Sequence, residues 1–148
     1  MALYLGQRRT VRLRSWLIAP VPKGLVPTKS QPRGQSILIV EDDPISRDAM
    51  EKILRQFGHI VITVASVAES LERLDGQDCA ILDLNLPDGV GTTVIQRIRD
   101  ENRPMRVAVV TGSSDEALLA TARAFAPQII LRKPLNLSVL LNWLDEAG

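Results

Sequence analysis

The chain has 148 residues, 45% of them hydrophobic and 24% charged, the balance of one globular domain with a core of ordinary size. No apolar run approaches the roughly 20 residues that a membrane-crossing helix needs. The single cysteine, Cys79, excludes an internal disulfide, and with the lone His59 it is too little for a thiolate–imidazole metal site, so both are read as structural.

The formal net charge of +1 conceals an asymmetry. Residues 1–36 carry Arg8, Arg9, Arg12, Arg14, Lys23, Lys29 and Arg33 and no acid, so the rest of the chain holds all 17 acidic residues and is net negative by six. Residues 1–34 also contain Pro20, Pro22, Pro27 and Pro32 and show no sustained period. They read as a basic extension that is disordered or outside the fold. Arg8-Arg9 ahead of residues 15–21 has some character of a twin-arginine export signal, without the length or cleavage site. An Arg-rich, acid-free leader also suits a transit peptide or an arm touching nucleic acid. The preferred reading is the plain one, a cloning remnant or an over-extended start. Trp16, within it, carries no assignment.

From Ser36 the pattern turns regular. Ile37-Leu38-Ile39-Val40 is an unbroken apolar run, as expected of a strand covered on both faces. Asp43-Pro44 supplies an N-cap and a first-turn proline, and Ile45, Ala49, Ile53 and Phe57 predict one apolar helix face that Gly58 ends. Residues 60–64 predict a strand, and Ser66 opens a helix bearing Val67, Leu71 and Leu74. Residues 79–82 are the third strand, followed by a Pro-Asp-Gly loop and a helix with Val94, Ile95 and Ile98. Residues 106–110 are the fourth strand, and Ser114 caps a helix running through Leu118, Leu119, Ala122 and Phe125. Residues 128–131 are the fifth, and Leu137, Leu140, Leu141 and Leu144 mark the last helix, with Trp143 at its core or at an interface edge. Five strands alternating with five helices predict a parallel sheet with helices on both faces.

In such sheets chemistry collects at the carboxyl ends of the strands. Glu41, Asp42 and Asp43 follow the first strand, Asp83 the third, Thr111 the fourth and Lys133 the fifth. Carboxylates gathered there repel one another unless a cation compensates, and an all-oxygen donor set suits Mg²⁺. A lysine and a hydroxyl beside them turn a generic cation site into a phosphate site. A carboxylate is also a competent nucleophile toward phosphorus. Each residue has a plainer reading alone: Asp83 as a turn residue, Lys133 as a surface lysine, Thr111 as a strand end. They gain meaning jointly.

Residues 35–148 resemble a response-regulator receiver domain of two-component signalling. The resemblance rests on Ile37-Leu38-Ile39-Val40-Glu41-Asp42-Asp43, Ile81-Leu82-Asp83-Leu84-Asn85-Leu86-Pro87-Asp88-Gly89, Val109-Val110-Thr111-Gly112 and Lys133-Pro134, in that order. It implies a flavodoxin-like, doubly wound α/β fold with strand order 2-1-3-4-5. Asp83 would be the phosphoacceptor, Asp42 a direct Mg²⁺ ligand, Glu41 a ligand through water, and Asn85 a ligand by its backbone carbonyl. Thr111 and Lys133 would hold phosphoryl oxygens, the Lys133–Pro134 bond would be cis, and Asp43 would cap the first helix. The family commonly places an aromatic residue three positions before the lysine; here it is Ile130, so the aromatic part of the switch is missing.

The implied function is a phosphorylation-controlled binding module, not an enzyme with an external substrate. It would act in the cytoplasm, with a sensor histidine kinase or histidine phosphotransfer protein as donor and an unidentified protein as target, and with no direct contact to nucleic acid or membrane. A phosphatase of the haloacid-dehalogenase type is the competing enzyme reading, but Asn85 stands where its general acid belongs. A degenerate scaffold predicts missing site residues, and none of the central five is missing. No Gly-rich phosphate loop supports a nucleotide-driven enzyme. With nothing after the last helix but Ala147-Gly148, the expectation is either a stand-alone regulator or a piece of a longer chain.

Overall fold

The computed structural model describes residues 34–146, so the expectations for the basic extension and for Trp16 lie outside the described residues. The elements in chain order are β1 (Ser36–Val40), α1 (Pro44–Gln56), β2 (Ile60–Val64), α2 (Val67–Leu71), β3 (Cys79–Leu82), β4 (Asn85–Leu86), β5 (Gly89–Val90), α3 (Thr92–Asp100), β6 (Arg106–Thr111), α4 (Glu116–Ala124), β7 (Ile129–Arg132) and α5 (Leu137–Asp145). The main sheet has the order β2-β1-β3-β6-β7 with every neighbouring pair parallel. Leaving aside the β4–β5 hairpin, this is the 2-1-3-4-5 order of a flavodoxin-like fold, with five helices.

The central strands are covered on both faces because their side chains alternate between two cores. Ile37, Ile39, Ile81, Ala108 and Val110 pack with α1 and α5, through Met50, Ile53, Leu54, Leu140 and Leu144. Leu38, Val40, Leu82, Val107 and Val109 pack with α2, α3 and α4, through Val67, Val94, Ile95, Ile98 and Leu119. Leu54 is wholly buried, and truncating such a side chain to alanine costs about 2–5 kcal/mol.

The cap on α1 is as expected: the Asp43 carboxylate accepts from the Ser46 N–H at 3.0 Å, with Pro44 in the first turn. Gly58 follows the helix at φ +90°, a left-handed conformation that glycine adopts without steric cost. The apolar face is shifted from the expected one. Ile45 is 71% exposed, whereas Met50 and Leu54 are buried beside Ile53. Residues spaced by four drift about 40° around a helix at each step, so Ile45 and Phe57 do not share one stripe.

Three further expectations are corrected. The helix after Ser66 ends at Leu71, and Leu74 is buried from the turn beyond it. The Pro-Asp-Gly loop forms the β4–β5 hairpin, with Asn85 opposite Val90 and Leu86 opposite Gly89. The cap of α4 is Asp115, not Ser114: its carboxylate accepts from Ala117 N–H at 3.0 Å and Leu118 N–H at 3.2 Å.

The isolated polar and aromatic residues are structural. Cys79 is buried and its thiol is pushed up to about 12, first by burial, which leaves it inert at neutral pH. His59 Nδ1 accepts the Gln35 N–H at 3.1 Å, tying the entry of β1 to that of β2. Trp143 is 4% exposed, with the Arg106 guanidinium 4.0 Å over its ring, so it is core.

Candidate functional site

Strand register brings the candidate residues to one edge. Val40 pairs with Leu82, Leu82 with Val109, and Val109 with Ile130, so the four strands run level toward their carboxyl ends. The next residues along β1 and β3 are Glu41 and Asp83, and the Asp83 N–H donates to Val40 O at 3.0 Å. The Lys133 N–H donates to Thr111 O at 2.9 Å, which fixes the start of the lysine loop against β6. The order of strands reverses between β1 and β3, the place where doubly wound sheets open a crevice.

Carboxylate oxygens of Glu41, Asp42 and Asp83 all lie within 4.8 Å of one another. Glu41 is 2% exposed and Asp83 6%, while Asp42 faces solvent. The Lys133 ammonium donates to Glu41 Oε2 and to Asp83 Oδ2, both at 2.8 Å. Glu41 Oε1 accepts the Asp43 N–H at 3.1 Å, and Asp83 Oδ1 accepts the Asn85 N–H at 3.2 Å. The Arg47 guanidinium holds the loop from behind, donating to the carbonyls of Glu41 at 3.1 Å and Asp42 at 3.4 Å.

Burial pushes the Glu41 carboxyl above its ordinary range, against the pull of Lys133. Burial works to lower the Lys133 ammonium, but its hydrogen bonds and charge attraction to Asp83 and Glu41 prevail and raise it. The lysine therefore stays charged and screens two buried acids, with a third carboxylate left beside them. The donor set is all oxygen, and its spare negative charge fits a hard divalent cation better than a soft metal.

The other expected residues stand as follows. Asn85 is exposed and adjoins Asp83 through its N–H. Thr111 is fully buried, and its Oγ1 accepts from the Ser113 N–H at 3.1 Å, so the hydroxyl oxygen serves its own loop. Ile130 is partly buried against the α2–α3–α4 core, and Lys133–Pro134 is cis. Asp43 caps α1 and is outside the carboxylate cluster.

Two supporting residues escape a reading of strand ends. Arg47 had no signal beyond lying one helical turn past the acids. Gly91 is required because a Cβ there would lie 2.2 Å from Asp83 O, a contact only glycine avoids. Beside the acids, a cavity of about 600 Å³ opens between α1 and the segment after β7, lined by Met50, Ile53, Val110, Pro134 and Leu137 among others.

Fold and site define the class: a doubly wound α/β module with a lysine-screened acidic cluster at its topological switch point. Residues 37–145 match the family model of the response regulator receiver domain, and the chain belongs to that family. A cyclic di-GMP phosphodiesterase of Thermotoga maritima is 32% identical over 105 residues, which cover 71% of this chain and 28% of that protein. The TorCAD operon transcriptional regulatory protein TorR of Escherichia coli K12 is 32% identical over 107 residues, covering 71% of this chain and 46% of that protein. Among solved structures, a response regulator receiver domain protein (CheY-like) from Methanospirillum hungatei superposes with a TM-score of 0.68 at 24% identity, covering 78% of this chain and 99% of that one. The chain spans less than half the length of these two curated relatives. Receiver domains are signalling modules of two-component systems, not enzymes in the ordinary sense. Among the described residues, no helix is long and apolar enough to cross a membrane.

Proposed function

We propose that this receiver takes a phosphoryl group from a phosphohistidine onto Asp83 and signals by binding a partner in that state. The observation that carries the reading is the Lys133 ammonium, 2.8 Å from both Asp83 and Glu41. It lies where an incoming phosphoryl anion needs a positive charge. An Asp83 carboxylate oxygen attacks phosphorus, the P–N bond breaks, and the imidazole leaves and takes up a proton. The product is an acyl phosphate, later lost to water.

Mg²⁺, when bound, supplies the charge neutralisation that this transfer requires. Asp42 and Asp83 would hold it directly, Glu41 through water, and Asn85 by its backbone carbonyl. Lys133 keeps its charge because it donates hydrogen bonds to two carboxylates, and it is free to turn from Glu41 to a phosphoryl oxygen. The Thr111 hydroxyl, whose oxygen accepts the Ser113 N–H, would donate its proton to another of those oxygens.

The donor would be a sensor histidine kinase or a histidine phosphotransfer protein, met in the cytoplasm, and the target a protein. Residues 35–148 would make up the receiver. Incubation with Mg²⁺ and acetyl phosphate, followed by intact-mass measurement, tests the assignment. One phosphoryl adduct is expected on the wild type and none on Asp83→Asn or in the presence of a chelator. An adduct that survives Asp83→Asn would refute it.

A further inference from the structure

The β4–β5 hairpin has two residues per strand, too few to be stable alone. Its inner end is held by Leu84 and Leu86, which are buried, and by the Gly91 N–H, which donates to Leu84 O at 2.8 Å. Its outer end is held by Asp88. Asp88 Oδ1 accepts the Val67 N–H at 2.8 Å and Oδ2 accepts the Ala68 N–H at 3.0 Å. Both donors belong to the first turn of α2, where N–H groups have no partner within the helix. A Cβ built on Gly89 would sit 3.6 Å from Val67 Cγ2, so β5 also lies against that turn.

We propose that Asp88 is a positioning residue for the cation site: its carboxylate clamps the hairpin to α2 and thereby holds the Asn85 carbonyl beside Asp83. The inference rests on the cation reading given under Proposed function. Asn85 is two residues beyond Asp83 and pairs with Val90, so displacement of the hairpin moves its carbonyl directly. Mg²⁺ demands near-ideal geometry and tolerates little wandering of a ligand. The competing account is that Asp88 merely caps α2. Ser66 provides the control, because its Oγ caps the same helix, accepting the Glu69 N–H at 3.1 Å, without touching the hairpin.

The test is calorimetric titration of Mg²⁺ into the full chain, with thermal unfolding of each variant. Asp88→Ala is expected to weaken Mg²⁺ about tenfold, as loss of a supporting contact does at other metal sites, and Asp88→Asn by less, since one oxygen remains. Ser66→Ala is expected to lower the melting temperature as Asp88→Ala does, with Mg²⁺ affinity unchanged. Should Asp88→Ala fail to fold, Asp88→Asn decides alone. Affinity within about twofold of wild type for the Asp88 variants, or an equal loss in Ser66→Ala, overturns the positioning role and leaves the cation site standing. A wild type that binds no Mg²⁺ overturns both.

Discussion

The Lys133 ammonium meets Asp83 Oδ2 at 2.8 Å across 50 residues of sequence. It is hydrogen-bonded to two of the cluster's carboxylates, so replacing it exposes how much repulsion it masks. Lys133→Met is expected to destabilise the cation-free chain by about 1 kcal/mol, a figure discounted because the lysine is partly exposed. Added Mg²⁺ should restore most of the loss. Urea unfolding with and without MgCl₂ measures both, and equal losses under the two conditions would contradict the screening role.

Gly91→Ala forces a methyl group into the Asp83 carbonyl, 2.2 Å away. Backbone cannot yield as a flexible side chain can. The substitution is expected to cost about 2–3 kcal/mol and to abolish phosphoryl uptake from acetyl phosphate. A variant that melts and labels like the wild type would show that the loop has slack.

Arg99 ties the end of α3 to the turn after α4, donating to Phe125 O at 3.0 Å, Ala126 O at 3.0 Å and Met105 O at 3.1 Å. Ala126 has φ +50°, an uncommon conformation that the clamp helps hold. Arg99→Lys loses the planar fork and should cost about 1–2 kcal/mol. Hydrogen exchange is expected to quicken at residues 124–128 before the rest of the domain.

Burial holds the His59 imidazole below its ordinary pKa of 6.5, against the opposing pull of Asp145. A histidine depressed in the folded state binds its proton more readily when unfolded. Its contribution to stability is therefore complete above pH 6.5 and is lost as pH falls from there through the folded pKa. Protonation also removes the acceptor for the Gln35 N–H. Unfolding midpoints at about pH 7 and about pH 5 should differ less in His59→Asn than in the wild type.

Thr111 turns its hydroxyl oxygen to the Ser113 N–H, and Ile130 replaces the aromatic partner that the family commonly provides. Readout is then expected through the backbone from Gly112 into α4. Amide chemical shifts with and without a phosphate mimic should change from residue 112 to residue 125. A silent stretch there would exclude this route.

The fold was legible where local chemistry and tertiary demand coincide. The run 37–40 reads as a central strand because an unbroken apolar run of strand length suits a strand covered on both faces. The Asp43 cap is legible because proline beside it leaves few alternatives. Two of the choices that failed are marginal ones. Ser114 and Asp115 both cap helices well, and the path of the chain leaving β6 selects Asp115. The spacing of four from Ile45 is helical, but Ile45 is 71% exposed and stands outside the buried core of the described residues.

Glu41, Asp42, Asp83, Thr111 and Lys133 announce themselves by type and by position after apolar runs, so the sequence by itself determined the candidate residues and the strands that carry them. The convergence of the Glu41, Asp42 and Asp83 carboxylates within 4.8 Å, the lysine shared between two buried acids, the buried Thr111 and the Asp88 clamp belong to the tertiary structure alone. The physical reason is one of range. Strand and helix preferences act over a few residues, whereas hydrogen-bond direction and charge screening depend on which distant segments a folded sheet sets side by side.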